Sequence, residues 1–185
     1  LDWIMSAQAN TSAIARRAAT LGTRRSVKKT HQAAWLLRAV SCIDLTTLSG
    51  DDTEGRIYRL CDKAKNPIRS DILEKLEMPQ IKVGAVCVYH DMIAPAVERL
   101  GKTSIPIAAV STGFPAGLSP LNLRIAEIKE SVSAGANEID IVISRRLALT
   151  QNWQALYDEI VSFRTAAKTA HVKAILATGE LGSLR

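Results

Sequence analysis

No apolar run in this 185-residue sequence approaches the ~18 residues that a helix needs to cross a bilayer, so no membrane-spanning role is expected. Cysteine is scarce. Cys42, Cys61 and Cys87 are odd in number and lack C-x-x-C spacing, so the expectation is three reduced thiols in a cytoplasmic protein. Histidine is equally sparse: His31, His90 and His171 stand apart from one another and from the cysteines, and no zinc or other metal site is expected. Neither G-x-G-x-x-G nor a Walker pattern occurs, and no cofactor is expected. The opening LDWIMSAQANTSAIARR lacks the compact apolar block of a secretory signal. It begins on Leu rather than Met, which gives the expectation of a chain already trimmed at that end.

Acidic residues are almost missing from the first 40 positions. Asp2 stands there against Arg16, Arg17, Arg24, Arg25, Lys28, Lys29 and Arg38, whereas residues 41–185 hold 17 charges of each sign. The formal charge of +6 therefore belongs to an N-terminal arm. Such an arm could touch an acidic partner. No aromatic residues interleave with its charges as a nucleic-acid stacking platform would need, so it reads as a solvated helical face without a nucleic-acid partner. The domain division expected is a basic helical extension over 1–40 and a single folded body over 41–185.

The body repeats one pattern: a short apolar run, a polar turn, then a segment with helical spacing. Strands are predicted at Cys42–Thr46, Gly84–Tyr89, Ile105–Thr112, Glu138–Ile143 and Val172–Ala177. Helices are predicted after Asp51-Asp52-Thr53, where Ile57, Leu60, Cys61 and Ala64 share a face, and after Ser119 as N-cap with Pro120 in the first turn. The second of these runs to Gly135. Thr150 is expected to open another helix, with Trp153, Leu156, Tyr157, Ile160 and Phe163 as its core stripe. Alternating strands and helices imply right-handed crossovers and a parallel sheet, the α/β class. A complete doubly wound sheet and five of the eight units of a (β/α)8 barrel both fit, since a full barrel takes ~250 residues.

In either architecture chemistry gathers at the C-terminal ends of the strands. In GANEIDIVIS, strand alternation puts Ile139, Ile141 and Ile143 on one face and Glu138, Asp140 and Val142 on the other. If the isoleucines pack on helices, Asp140 points inward, where a carboxylate needs a cation or donors, or its pKa rises. Either state suits proton transfer next to a carbonyl, though a packing role for the same carboxylate fits equally. Asp44 and Thr46 share a face of the first strand with Cys42. Cys87 lies mid-strand between Val86 and Val88, as a buried thiol would. His90 and Asp91 are read as the capping residues of the helix that follows.

Taken as a set, IDLTTLSGDDT (43–53), LCDKAK (60–65), AVCVY (85–89), STGFPAG (111–117), GANEIDIVIS (135–144) and ILATGEL (175–181) resemble the deoxyribose-phosphate aldolase family, in its order and spacing. The basic arm with VKKTHQAAWLLRAVSCIDLTT is similar to the longer animal-type members. The resemblance implies a (β/α)8 barrel and a metal-free class I aldolase. In that chemistry a lysine forms a Schiff base with acetaldehyde, and the enamine adds reversibly to glyceraldehyde 3-phosphate. A small phosphorylated sugar is then the substrate. Asp140 matches the family's catalytic aspartate, which exchanges protons with a second lysine. Asp44 and Cys87 match residues lining the same pocket, Thr46 is expected there from the strand face it shares with Asp44, and Lys173, also expected around the pocket, matches a lysine that the family carries in addition to its nucleophile.

The family's Schiff-base lysine sits in a later motif resembling FIKTSTGK, and its partner lysine in one resembling GFKPAGG. Neither occurs in residues 1–185. The expectation is a chain cut short at its C-terminus, with about five of eight units, inactive and poorly soluble alone, or completed by a C-terminal segment or by homo-oligomer formation. Two other readings stand beside it. One is a non-catalytic half-barrel that acts as an interaction protein, and the other is a five-stranded nucleotide-binding domain without a Gly-rich loop.

Overall fold

A computed structural model of the chain describes residues 2–24 and 26–182. Five strands make one sheet: β1 (Asp44–Thr46), β2 (Ala85–Val88), β3 (Ile107–Ser111), β4 (Glu138–Val142) and β5 (His171–Ile175). All four pairings are parallel and the spatial order is β1-β2-β3-β4-β5. A doubly wound sheet reverses its strand order at a switch point. Strands added in sequence order, each by a right-handed crossover, instead keep every helix on one side and curl the sheet into a barrel wall. The fold is thus α/β with the five strands of a partial barrel. Each strand is shorter than its sequence prediction, because the apolar runs extend past the last ladder bond into the loops.

The helical side is the main core. Val86, Val88, Ile107, Ala109, Ile139 and Ile141 lie there against Ile57, Cys61, Ile93, Ala96, Ile128 and Phe163. These side chains come from α4 (Glu54–Lys65), α6 (Ile93–Leu100), α7 (Leu121–Ala134) and α9 (Trp153–Ala166). Each fully buried aliphatic or aromatic side chain contributes ~1.5–3 kcal/mol, so this layer dominates stability. The sequence punctuates α4 as expected. Thr53 is its N-cap, accepting from the Arg56 amide, and Glu54 and Lys63/Lys65 complement the helix dipole at the two ends. Gly135 closes α7 at φ +109°, a left-handed position that suits glycine.

Three boundary expectations need correction. Pro120 is itself the N-cap of α7 and no side chain caps that end, so Ser119 is outside the helix. Thr150 closes a short helix, α8 (Arg145–Leu149), and α9 begins at Trp153, with the Asn152 side chain accepting from the Ala155 amide. His90 and Asp91 do not cap α6; they form a 3-10 turn (His90–Met92) with no side-chain cap bond. Within the α9 stripe Phe163 is fully buried, but Tyr157 is 55% exposed. The short α5 (Ser70–Lys75), which buries only Leu73, carries too little periodicity to have been predicted.

The N-terminal arm forms α1 (Asp2–Met5), α2 (Thr11–Arg24) and α3 (Lys29–Val40), none with a buried residue. Trp153 at the start of α9 donates its indole N–H to the Met5 sulfur at 3.1 Å, where α1 meets the body. Among the described residues no helix is long and apolar enough to cross a membrane.

Candidate active site on the inner face of the sheet

On the opposite face of the sheet, among the described residues, the side chains that pack on the strands come from loops. The ladder aligns its residues in rows: Thr46, Cys87, Ala108, Glu138 and His171 lie side by side, and Val110, Asp140 and Lys173 form the next row toward the C-terminal ends. Ala85, Cys87, Ala108 and Val110 form a small apolar cluster there, closed over by Leu48, Tyr89 and Phe114. Small residues on β2 and β3 leave room that the long side chains of β4 and β5 fill.

The polar part of this face converges on Lys173. Its Nζ lies 2.5 Å from Asp44 Oδ2, 3.0 Å from Glu138 Oε2 and 3.1 Å from Asp140 Oδ1. One ammonium thus faces three carboxylates, and the cluster holds two negative charges in excess. Burial works against the charge of Lys173, but the bonds from Asp44 and Glu138 and the field of Asp140 outweigh it, holding the ammonium above the usual lysine range. For Asp140 the balance differs. Burial is the largest influence and keeps its carboxyl above the usual carboxylate range, with Asp44 and Glu138 adding to the rise and Lys173 opposing it. The Cys87 thiol lies 3.8 Å from Asp140 Oδ2, and burial together with that carboxylate pushes it up to about 12. Cys87 is therefore a neutral thiol while it stays buried, and it reacts as a thiolate only when its cover opens.

The five sequence candidates fall into one group with differing involvement. Asp140 and Lys173 are neighbours in register, Asp44 reaches them from the far end of the sheet, and Cys87 lies against Asp140. Thr46 shares the face, but its hydroxyl donates to the Asp44 carbonyl of its own strand at 2.8 Å. Cys42, expected on the same strand face as Asp44, precedes β1 and is exposed. The inner faces of the end strands carry Asp44 and Lys173, which meet across the sheet. Glu138 was missed as a site residue, although the alternation that singled out Asp140 put it on the same face. Among the described residues no group of His, Cys, Asp and Glu has the arrangement of a metal site.

The loops at the C-terminal ends are tied into a rim. After β1, Asp52 accepts from the Thr47 hydroxyl, the Ser49 amide and Arg56. After β3, Thr112 adopts φ +62° and its hydroxyl bridges the Val142 amide (2.6 Å) and carbonyl (3.0 Å) of β4. The Gly113 amide donates to Glu127 on α7 at 2.8 Å. Gly117 closes that loop at φ +71°, so near β4 that a Cβ would lie 2.9 Å from Val142 Cγ1. Beneath the β4 end lies a buried network. Glu159 accepts from Arg124 (3.0 Å), the Ser144 amide (3.0 Å) and the Ser144 hydroxyl (2.6 Å), and the Arg124 guanidinium lies over the Phe163 ring.

Known proteins resemble this chain in both sequence and shape. A model of the DeoC/LacD aldolase family matches residues 38–182. The deoxyribose-phosphate aldolase of Mus musculus is 56% identical over 188 residues, covering 100% of this chain and 59% of that protein. The chain therefore spans 59% of the length of this curated relative. A crystal structure of a putative deoxyribose-phosphate aldolase from Coccidioides immitis superposes with a TM-score of 0.66 at 26% identity, covering 92% of this chain and 61% of the other. A tetrameric deoxyribose phosphate aldolase from Aeropyrum pernix gives 0.56 at 26% identity, over 76% and 53% of the two chains.

Proposed function

Because the chain belongs to the DeoC/LacD family of aldolases, we propose that its inner face is the proton-transfer half of a deoxyribose-phosphate aldolase site. The reaction is reversible cleavage of 2-deoxyribose 5-phosphate to acetaldehyde and glyceraldehyde 3-phosphate, a step of deoxyribonucleotide breakdown in the cytoplasm. A lysine amine condenses with the C1 aldehyde and water leaves. The C3 hydroxyl then loses its proton as the C2–C3 bond breaks, releasing glyceraldehyde 3-phosphate and leaving an enamine. Protonation of the enamine carbon and hydrolysis free acetaldehyde and restore the amine.

The observation that carries this reading is the Asp140 carboxyl, held above its usual range beside a lysine at the C-terminal side of a barrel wall. A carboxyl so placed holds a proton more readily than a solvated one and can return it to a neighbouring group. Asp44, Glu138 and Lys173 fix the local field, and Cys87 closes the cluster beside Asp140. Lys173 is not the nucleophile: an amine must lose its proton before it attacks a carbonyl, and three carboxylates hold this one charged. The nucleophile belongs instead to the FIKTSTGK-like motif, expected in the part of the relatives that residues 1–185 do not span. Homo-oligomeric assembly is proposed by analogy with the tetrameric Aeropyrum pernix aldolase.

Borohydride reduction in the presence of acetaldehyde tests the assignment on the 185-residue chain. The expected outcome is no ethylated lysine by mass spectrometry and no turnover of 2-deoxyribose 5-phosphate. An adduct on Lys173, or turnover at rates typical of the family, overturns it.

A further inference from the structure

Arg145, the first residue of α8, has no part in the carboxylate cluster, yet it touches two of the loops that surround the site. Its Nη1 and Nη2 donate to the carbonyls of Pro115 (3.4 Å) and Ala116 (3.1 Å), and its Nε lies 2.7 Å from Glu180 Oε2 in the turn after β5. The side chain is only 17% exposed, although Glu180 is 65% exposed. Arg145 is held from below, because the preceding Ser144 is pinned by its amide and hydroxyl to the buried Glu159.

Among the described residues, the other hydrogen bonds of the loop it grips lie at its ends. Thr112 and Gly113 are bonded to Val142 and Glu127, and Gly117 sits against Val142 and accepts no side chain there. Between these anchors lies Phe114. Its ring packs on the Ala85–Cys87–Ala108–Val110 cluster and meets the Tyr89 ring edge-on, with centroids 6.0 Å apart. Phe114 and Tyr89 are thus the apolar wall that covers the Cys87 side of the cluster and keeps water from it. The Pro115 and Ala116 carbonyls, the two acceptors that follow this ring, both turn to Arg145.

We propose that Arg145 is a positioning residue: its guanidinium holds the 113–117 loop so that Phe114 stands as the apolar wall over Cys87. What the pocket binds rests on the aldolase reading, but the wall does not. The fork geometry matters. A planar guanidinium reaches two adjacent carbonyls and a carboxylate at once, which no other side chain does.

The three cysteines make the test possible without any substrate. Cys42 is exposed, Cys61 is buried in the helical core, and Cys87 is 3% exposed behind the wall. Alkylation by iodoacetamide, followed site by site by mass spectrometry, reports the surface, global unfolding and the wall respectively. Arg145→Gln is expected to raise the Cys87 rate several-fold while leaving Cys61 at the wild-type rate. Phe114→Ala is expected to raise Cys87 labelling by itself, and adding Arg145→Gln to it should give no further increase. An unchanged Cys87 rate in Arg145→Gln overturns the proposal. So does a parallel rise at Cys61, or additive effects in the double variant. Lysine trapping plays no part, so failure here and failure of the aldolase assignment are separate results.

Discussion

Replacing Glu159 with leucine should be among the most damaging single changes in the chain. The carboxylate is 6% exposed and occupies both oxygens with Arg124, the Ser144 amide and the Ser144 hydroxyl. Glu159→Leu leaves the Arg124 guanidinium, 5% exposed, with the Ser144 hydroxyl at 3.3 Å and the face of Phe163 as partners. Stranding one member of a buried pair costs ~3–5 kcal/mol, a large part of the ~5–15 kcal/mol by which domains are usually stable. With a urea m-value of ~2 kcal/mol per M, the unfolding midpoint should fall by ~2 M. The double change Arg124→Leu with Glu159→Leu removes both charges. Its remaining penalty, ~1–3 kcal/mol for each of the Ser144 amide and hydroxyl left without Glu159, is shared with the single variant, so without the stranded charge it should be more stable than the single variant. Urea titration followed by circular dichroism at 25 °C measures all three proteins. A loss under ~1 kcal/mol in Glu159→Leu, or a double variant less stable than the single, refutes the reasoning.

Two further outcomes follow from the site and its rim. Asp140 has a raised pKa in the folded chain, so the folded state binds its proton more tightly than the unfolded state does. The cost appears as the pH rises above the unfolded value of 3.8, reaches its full size above the folded pKa, and is relieved as the pH falls back through it. Asp140→Asn should therefore melt at a higher temperature than the parent at pH 7, with the gap closing toward pH 4. A lower melting temperature at pH 7 contradicts the excess of negative charge. Gly117→Ala places a Cβ against Val142 at φ +71° and should cost ~2 kcal/mol in the same urea titration, whereas a neutral result would mean that the loop end is not tied to β4.

Much of the architecture was legible because barrel strands are buried on one side by helices and punctuated by turns. The isoleucine face of GANEIDIVIS announced which way Asp140 points, and Ile139 and Ile141 are indeed fully buried. The choice between an open sheet and a barrel wall was not legible from periodicity, since both place apolar runs alike and differ only in strand order. Of the residues that cluster on the inner face, Asp140, Asp44, Cys87 and Lys173 were singled out in the sequence, while Glu138 was passed over beside a more conspicuous aspartate. Arg145 and the Arg124–Glu159 pair gave no signal, because the partners of each lie 15 or more residues away and meet only through tertiary packing. Helix starts were misplaced at Ser119 and Thr150 for a local reason: in each case a nearby residue, Pro120 or Asn152, holds the cap position.

The sequential strand order also bears on how the chain assembles. Every strand pairs with the one made just before it, so each new βα unit finds its binding edge already formed as synthesis proceeds. The bond from Lys173 to Asp44 is different, for it joins residues 129 apart across the curve of the sheet. It can form only after all five strands have been laid down and bent. The complete charged cluster therefore needs all five strands in place, and its presence records that the wall has reached its final curvature.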